Sequence, residues 1–81
     1  MNIGSILNQG FKKLSCSNIR NANLDCELLL SKIINKDREY VVLNLKENID
    51  KKYINFFYDL IERRKKGEPV AYLINKKEFW K

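Results

Sequence analysis

The residues best suited to binding chemistry are four consecutive cations, Arg63, Arg64, Lys65 and Lys66. Guanidinium and ammonium groups bind phosphate and carboxylate groups, so this basic cluster is a candidate contact for an acidic partner. Cations also suit the last turn of a helix, and Asp59–Arg63 and Glu62–Lys66 have the spacing of acid-first ion pairs. Aromatic residues that could stack on bases do not alternate with these charges. We therefore favour a solvent-exposed helix end over a dedicated nucleic-acid site.

A second candidate contact is the aromatic pair Phe79 and Trp80. Large apolar side chains left in water often mark interfaces. Two interpretations remain open. The pair folds back onto the core of its own domain, or it belongs to a strand or interdomain contact whose other half lies beyond Lys81.

Residue types for catalysis or metal binding are scarce in this chain. It contains no histidine, the commonest general base, and its three glycines are too far apart for a Gly-x-Gly-x-x-Gly phosphate turn. Cys16 and Cys26 lack the spacing of a zinc site. We expect two free thiols, with Cys26 buried on an apolar helix face and Cys16 in a loop. The sequence predicts no catalytic, cofactor or metal site in this chain.

Composition indicates one small folded domain. The chain has 81 residues, of which 44% are hydrophobic, and its formal net charge of +6 would attract an acidic partner. It contains no apolar run of the roughly 18 residues that span a bilayer, and no signal-peptide pattern at its start. We expect a cytoplasmic protein without a membrane partner.

Apolar spacing predicts an all-α fold, a small bundle of four or five short helices. The first helix has one apolar side, formed by Ile3, Ile6, Leu7, Gly10, Phe11 and Leu14. The second starts at Ala22, capped by Asn21, and ends at Asn35, which tolerates a left-handed backbone. It has apolar residues on two sides, with Leu24 and Leu28 opposite the main stripe, and we expect it to be the central helix.

Three further helices are predicted after Asn35. Asp37 caps a short helix that ends at about Leu45, although the segment 39–43 also has strand character. Asp50 caps a fourth helix, which Gly67 ends. Pro69 begins a helical segment that runs to Ile74 and ends at Asn75, followed by an extended segment from Lys76 to Lys81.

Two segments resemble a known enzyme family. The residues from Arg63 to Phe79, with Arg-Arg, Gly-Glu-Pro-Val-Ala-Tyr-Leu and Glu-Phe at fixed distances, resemble the stretch that leads into the catalytic domain of the release-factor glutamine methyltransferases, the HemK or PrmC family. Asn21 to Leu30 is similar to the Leu-Asp-x-Glu-Leu-Leu-Leu core of the family's second helix, and Asp37-Arg38 follows at a similar interval. The chain departs from the family pattern at Asn35, Asn75 and Ala22.

The resemblance implies that the protein's domains have different functions. Members of this family have a small helical N-terminal domain, a β-hairpin connection and a Rossmann-like domain that binds S-adenosylmethionine. They methylate the glutamine of the Gly-Gly-Gln motif in peptide chain release factors, and an Asn-Pro-Pro-Tyr motif positions the amide. The present chain has one proline, Pro69, and lacks that motif.

We therefore expect residues 1–75 to form the substrate-recognition domain and residues 76–81 to begin the connection to a catalytic domain that is absent from this chain. By resemblance, S-adenosylmethionine belongs to that missing domain, and this chain alone is inactive. Its partners are a release factor and the methyltransferase domain in cis. The candidate contacts are the basic cluster and the pair Phe79 and Trp80.

Two other functions remain open. A small basic helical module could bind nucleic acid through the basic cluster together with Lys12 and Lys13. A self-contained helical adaptor would instead bury Phe79 and Trp80 against its own helices.

Overall fold

The computed structural model describes residues 1–74, which form five α-helices. These are α1 (Ile3–Cys16), α2 (Ala22–Ile33), α3 (Arg38–Leu43), α4 (Lys51–Lys65) and α5 (Val70–Ile74). Within this range there is no strand, only an isolated antiparallel bridge between Asn2 and Asn48. The predicted all-α bundle is confirmed, and the helical alternative is correct for segment 39–43. The predicted extended segment 76–81 lies outside the described residues.

Helix α2 lies at the centre of the bundle, because it packs against each of the four other helices. Its main apolar stripe is buried, as predicted, and consists of Cys26, Leu29, Leu30 and Ile33. The opposite side differs from the prediction. Leu28 is half-buried, and Leu24 is 39% exposed because the other described helices pack mainly against the stripe.

Helices α1, α2 and α4 pack tightly together at Gly10. A Cβ atom at this position would lie 2.8 Å from the Phe57 ring and 2.9 Å from the Cys26 sulfur. Both neighbours are buried, so neither can move aside easily. Glycine is therefore required here by space, and the predicted apolar side of α1 is confirmed in Ile3, Ile6 and Leu14, which are fully buried.

Three helices end in the same hydrogen-bonded turn, the Schellman motif. Asn18 after α1, Asn35 after α2 and Gly67 after α4 have positive φ angles of 61°, 58° and 102°. In each case the next residue donates its N–H five residues back along the chain, as in Glu68 to the Arg63 carbonyl at 3.3 Å. The predicted roles of Asn35 and Gly67 are confirmed.

Helices α2, α3 and α4 start at the predicted positions, but without the predicted side-chain capping hydrogen bonds. Asn21, Asp37 and Asp50 precede α2, α3 and α4, yet none of their side chains makes a capping hydrogen bond. The side-chain cap occurs at Asn2, which accepts from the Ser5 N–H at 2.8 Å. The predicted capping contacts of Asn21, Asp37 and Asp50 were therefore wrong.

The predicted end of α3 was also wrong by two residues. The helix stops at Leu43, because the Leu45 carbonyl accepts a hydrogen bond from the Gly4 N–H at 2.8 Å. Glu47 and Met1 extend this pairing, with Ile3 N–H donating to Glu47 and Ile49 N–H donating to Met1. The chain after α3 thus turns to pair with the N-terminal residues. The start of α5 also differs from the prediction by one residue, because the helix begins at Val70 and not at Pro69.

Both cysteines are free thiols in different surroundings, as predicted. Cys26 is 1% exposed, and burial, assisted by Asp25 and Glu27, raises its pKa to about 12. Cys16 is exposed but ends α1, so the prediction that it lies in a loop was wrong. The Cys26 thiol is consequently neutral at physiological pH and behaves as a small apolar side chain.

No helix in the range 1–74 has the length and apolar character needed to cross a membrane.

The contact at Gly10 predicts the effect of adding one methyl group. Gly10→Ala should lower the free energy of unfolding by about 1–2 kcal/mol, because the overlap with Phe57 and Cys26 exceeds alanine's better helix propensity. Urea denaturation measures the change. Ser15→Ala, at an exposed position of the same helix, should alter stability by less than about 0.5 kcal/mol. A Gly10→Ala protein as stable as the wild type would contradict this packing.

The burial of Cys26 predicts unequal thiol reactivity. At pH 8 a chromogenic disulfide reagent should modify Cys16 rapidly and Cys26 only after unfolding, since the reactive thiolate is suppressed at Cys26. A Cys16→Ser variant should therefore remain unmodified until denaturant is added. Rapid reaction of that variant under native conditions would show that Cys26 is accessible.

Candidate functional site

The basic cluster at the end of α4 contains two partly buried arginines and two exposed lysines. Arg63 and Arg64 are half-buried, whereas Lys65 and Lys66 are exposed. The predicted solvent-exposed helix end therefore applies to the lysines and not to the arginines. Glu62 lies 3.5 Å from Lys65 and 3.8 Å from Lys13, so the predicted pairing of Glu62 with Lys66 is replaced by these contacts.

Arg64 forms an ion pair with Asp25, a residue 39 positions earlier in the chain. The Arg64 Nε donates to Asp25 Oδ2 at 3.0 Å, and its Nη1 donates to the Glu68 carbonyl at 3.2 Å. Asp25 is only 6% exposed, and a buried carboxylate requires such a partner. One guanidinium thus connects the first turn of α2 to the turn between α4 and α5.

Arg63 stabilises the same turn from its other side. Its Nε donates to Glu68 Oε2 at 2.9 Å. This hydrogen bond raises the pKa of the Arg63 guanidinium above its usual value, while Asp59, the predicted partner, adds a weaker electrostatic attraction. Glu68 therefore binds both arginines, one through its side chain and one through its backbone. We call residues 63–69 the junction turn.

A further ion pair connects α2 to α3. The Arg38 Nε donates to Glu27 Oε1 at 2.7 Å, and the Arg38 side chain is 54% exposed. Asp25 and Glu27, two residues apart and therefore on nearly opposite sides of α2, thus bind arginines from two different helices. Residues 21–30, which resemble the enzyme family's second helix, thus contact Arg38 through Glu27 and the junction turn through Asp25.

The structure also contains a surface groove that the sequence did not reveal. Its apolar lining includes Phe11 and Leu24, which are 36% and 39% exposed, and its volume is about 370 Å³. Its polar lining includes Arg20, Asn21 and Arg38. Apolar spacing had assigned Phe11 and Leu24 to helix sides that contact the core. The sequence signal that could have indicated the groove was the position of these two residues on consecutive helices.

Other predicted contact residues are separated in space or lie outside the described range. Lys13 lies 4.8 Å from the centre of the Tyr58 ring, whereas Lys12 is exposed. Phe79 and Trp80 fall outside residues 1–74. Among the residues that the structure describes, no three acidic, cysteine or histidine side chains form a group that could hold a metal ion.

Several of the cations proposed for nucleic-acid binding contact groups of their own domain. Arg63 and Arg64 bind carboxylates of their own domain, and Lys13 lies over an aromatic ring.

Known proteins share this chain's sequence over nearly its whole length. It is 40% identical over 78 residues to a "Bifunctional methyltransferase" of Rickettsia felis, covering 96% of the chain and 15% of that protein. It is 40% identical over 81 residues to a "Release factor glutamine methyltransferase" of Buchnera aphidicola subsp. Schizaphis graminum, covering 99% of the chain and 28% of that protein. The corresponding protein of Buchnera aphidicola subsp. Acyrthosiphon pisum is 35% identical over 80 residues, again covering 99% of the chain and 28% of that protein.

The chain thus spans less than a third of the length of these relatives. No solved structure matches it significantly. The family model described as "PrmC N-terminal domain" matches residues 5–74, which include all five helices except the first two residues of α1. This chain belongs to the PrmC N-terminal domain family.

Proposed function

We propose that this chain is the substrate-recognition domain of a methyltransferase that modifies the glutamine of the Gly-Gly-Gln motif in peptide chain release factors. The observation that carries the proposal is the 40% identity to a release factor glutamine methyltransferase over 99% of the chain. In this proposal residues 1–75 form the recognition domain and residues 76–81 begin the connection to the methyltransferase domain. That domain uses S-adenosylmethionine, and the protein acts in the cytoplasm.

The contribution of the helical domain is to hold and orient the protein substrate. An amide nitrogen is a poor nucleophile, so methyl transfer to it depends on accurate positioning. The junction turn suits this role, because the Arg64–Asp25 ion pair fixes it on α2 and the Arg63–Glu68 ion pair stabilises the turn itself. Leu73, which follows in α5, is fully buried. The position of α5 is therefore fixed relative to α2.

The proposed function predicts different effects on two substrates when the domain is removed. In the full-length parent enzyme, deletion of residues 1–74 should lower kcat/KM for intact release factor by about tenfold or more, equivalent to about 1.4 kcal/mol of lost interaction. Methylation of a short peptide containing Gly-Gly-Gln should change little, which also shows that the shortened enzyme is folded. Equal rates on the intact release factor with and without residues 1–74 would refute a recognition role.

The ion pair of the junction turn predicts a large loss of stability when one partner is removed. Arg64→Met should lower the free energy of unfolding by about 2–3 kcal/mol, because Asp25 would remain buried and unpaired. Arg38→Met, which removes the partner of Glu27 at a more exposed pair, should cost only about 0.2–1 kcal/mol. Urea denaturation compares the two variants.

A second measurement separates the ion pair from side-chain packing. In the double variant Asp25→Asn with Arg64→Met, the two losses should be less than additive, since the uncompensated charge is gone. Strictly additive losses, or equal losses for Arg64→Met and Arg38→Met, would contradict the role assigned to this pair.

A further inference from the structure

The groove beside the start of α2 combines apolar and basic residues on one surface. The C-terminal half of α1 contributes Phe11, and the first turn of α2 contributes Leu24. Arg20 precedes α2, and Arg38 begins α3. Residues from three helices and one loop therefore face the same space of about 370 Å³.

Phe11 and Leu24 form the apolar part of the groove. They are 36% and 39% exposed although they belong to helices whose other apolar residues are largely buried. A partially exposed aromatic ring beside a leucine can bury one apolar side chain of a partner. Because both residues lie on helices fixed by the core, little ordering is required on binding.

The electrostatic character of the groove is positive. Arg20 is exposed and forms no ion pair or hydrogen bond with any residue in the range 1–74. Arg38 uses its Nε for Glu27, the acidic residue that lines the groove, and the other N–H donors of its guanidinium remain available. Carboxylates match these donors, as phosphates do.

Amide groups complete the lining. Asn21 occupies the first position before α2, but its side chain makes no capping hydrogen bond. Asn23, in the first turn of the helix, is exposed. Asparagine side chains both donate and accept hydrogen bonds, as a polypeptide backbone requires.

We propose that this groove docks an acidic segment of the release factor, with one apolar side chain against Phe11 and Leu24 and carboxylates on Arg20 and Arg38. The inference rests on the proposed function, because it assigns the surface through which the domain recognises its protein substrate. Charge complementarity selects this occupant, since the unsatisfied donors of the groove are guanidinium groups.

Nuclear magnetic resonance titration of the 81-residue chain tests the proposal. The probe is the intact release factor encoded in the same genome, added to the isotope-labelled chain. Amide signals of residues 11 and 20–24 should shift in the wild-type protein. Arg20→Glu and Leu24→Ser should each weaken binding about five- to tenfold, while the thermal unfolding midpoint stays within a few degrees of wild type.

Matched variants on α4 provide the control. Lys51→Glu makes the same charge change as Arg20→Glu, and Phe56→Ser removes an apolar side chain that is 37% exposed, close to the value for Leu24. Neither residue lines the groove. Both variants should bind the release factor within about twofold of wild type, because a docked segment contacts only a limited patch.

Several outcomes would overturn the groove assignment. If release factor binds and all four variants bind equally, the groove is not the docking surface, although the recognition function survives. If release factor does not bind the wild-type chain at millimolar concentration, both proposals fail.

Magnetisation transfer between the Trp80 indole and Phe11 would show that the chain's own aromatic pair fills the groove. Shifts of residues 20–24 on dilution would assign it to a second copy, and their displacement by a uridine-rich RNA would assign it to nucleic acid.

Discussion

The buried carboxylate of Asp25 is the constraint on which the arrangement of this domain depends. A charge that is only 6% exposed must be paired, and the Arg64 guanidinium is its partner at 3.0 Å. The pair fixes the end of α4 against the first turn of α2. Because Arg64 also binds the Glu68 carbonyl, the same interaction determines where α5 begins. A hydrophobic contact could hold the helices together but would not specify this register.

Close packing at Gly10 supplies the complementary constraint. The ion pair fixes the C-terminal end of α4, whereas Gly10 allows the Phe57 ring of the same helix to contact α1 and α2 directly. Two contacts at different points along α4 determine both its position and its direction. In a domain of 81 residues, where a single core provides only about 3–5 kcal/mol, such specific contacts make a large part of the net stability.

The local features of this fold were predictable from sequence, and the features that depend on side-chain direction were not. Periodic apolar residues located α1, α2 and α4, Asp37 and Pro69 indicated α3 and α5, and Asn35 and Gly67 marked helix ends because few residues adopt a left-handed backbone. The partner of Arg64 could not be inferred, since it is 39 residues away and sequence spacing favours pairs within one helix. The exposure of Phe11 and Leu24 depends on which helix packs over them, and periodicity alone does not specify that.

The distribution of charge follows from the same structural constraint. Asp25 and Glu68 bind Arg64 and Arg63, so these two arginines stabilise the fold, and the excess of six positive charges must reside elsewhere on the surface. Lysines dispersed over several helices produce a general attraction for acidic partners. Specific recognition requires fixed donors beside an apolar contact. Among the residues described, Arg20 and Arg38 beside Phe11 and Leu24 provide that combination, and for this reason we propose recognition at the start of α2, away from the basic cluster that dominates the sequence.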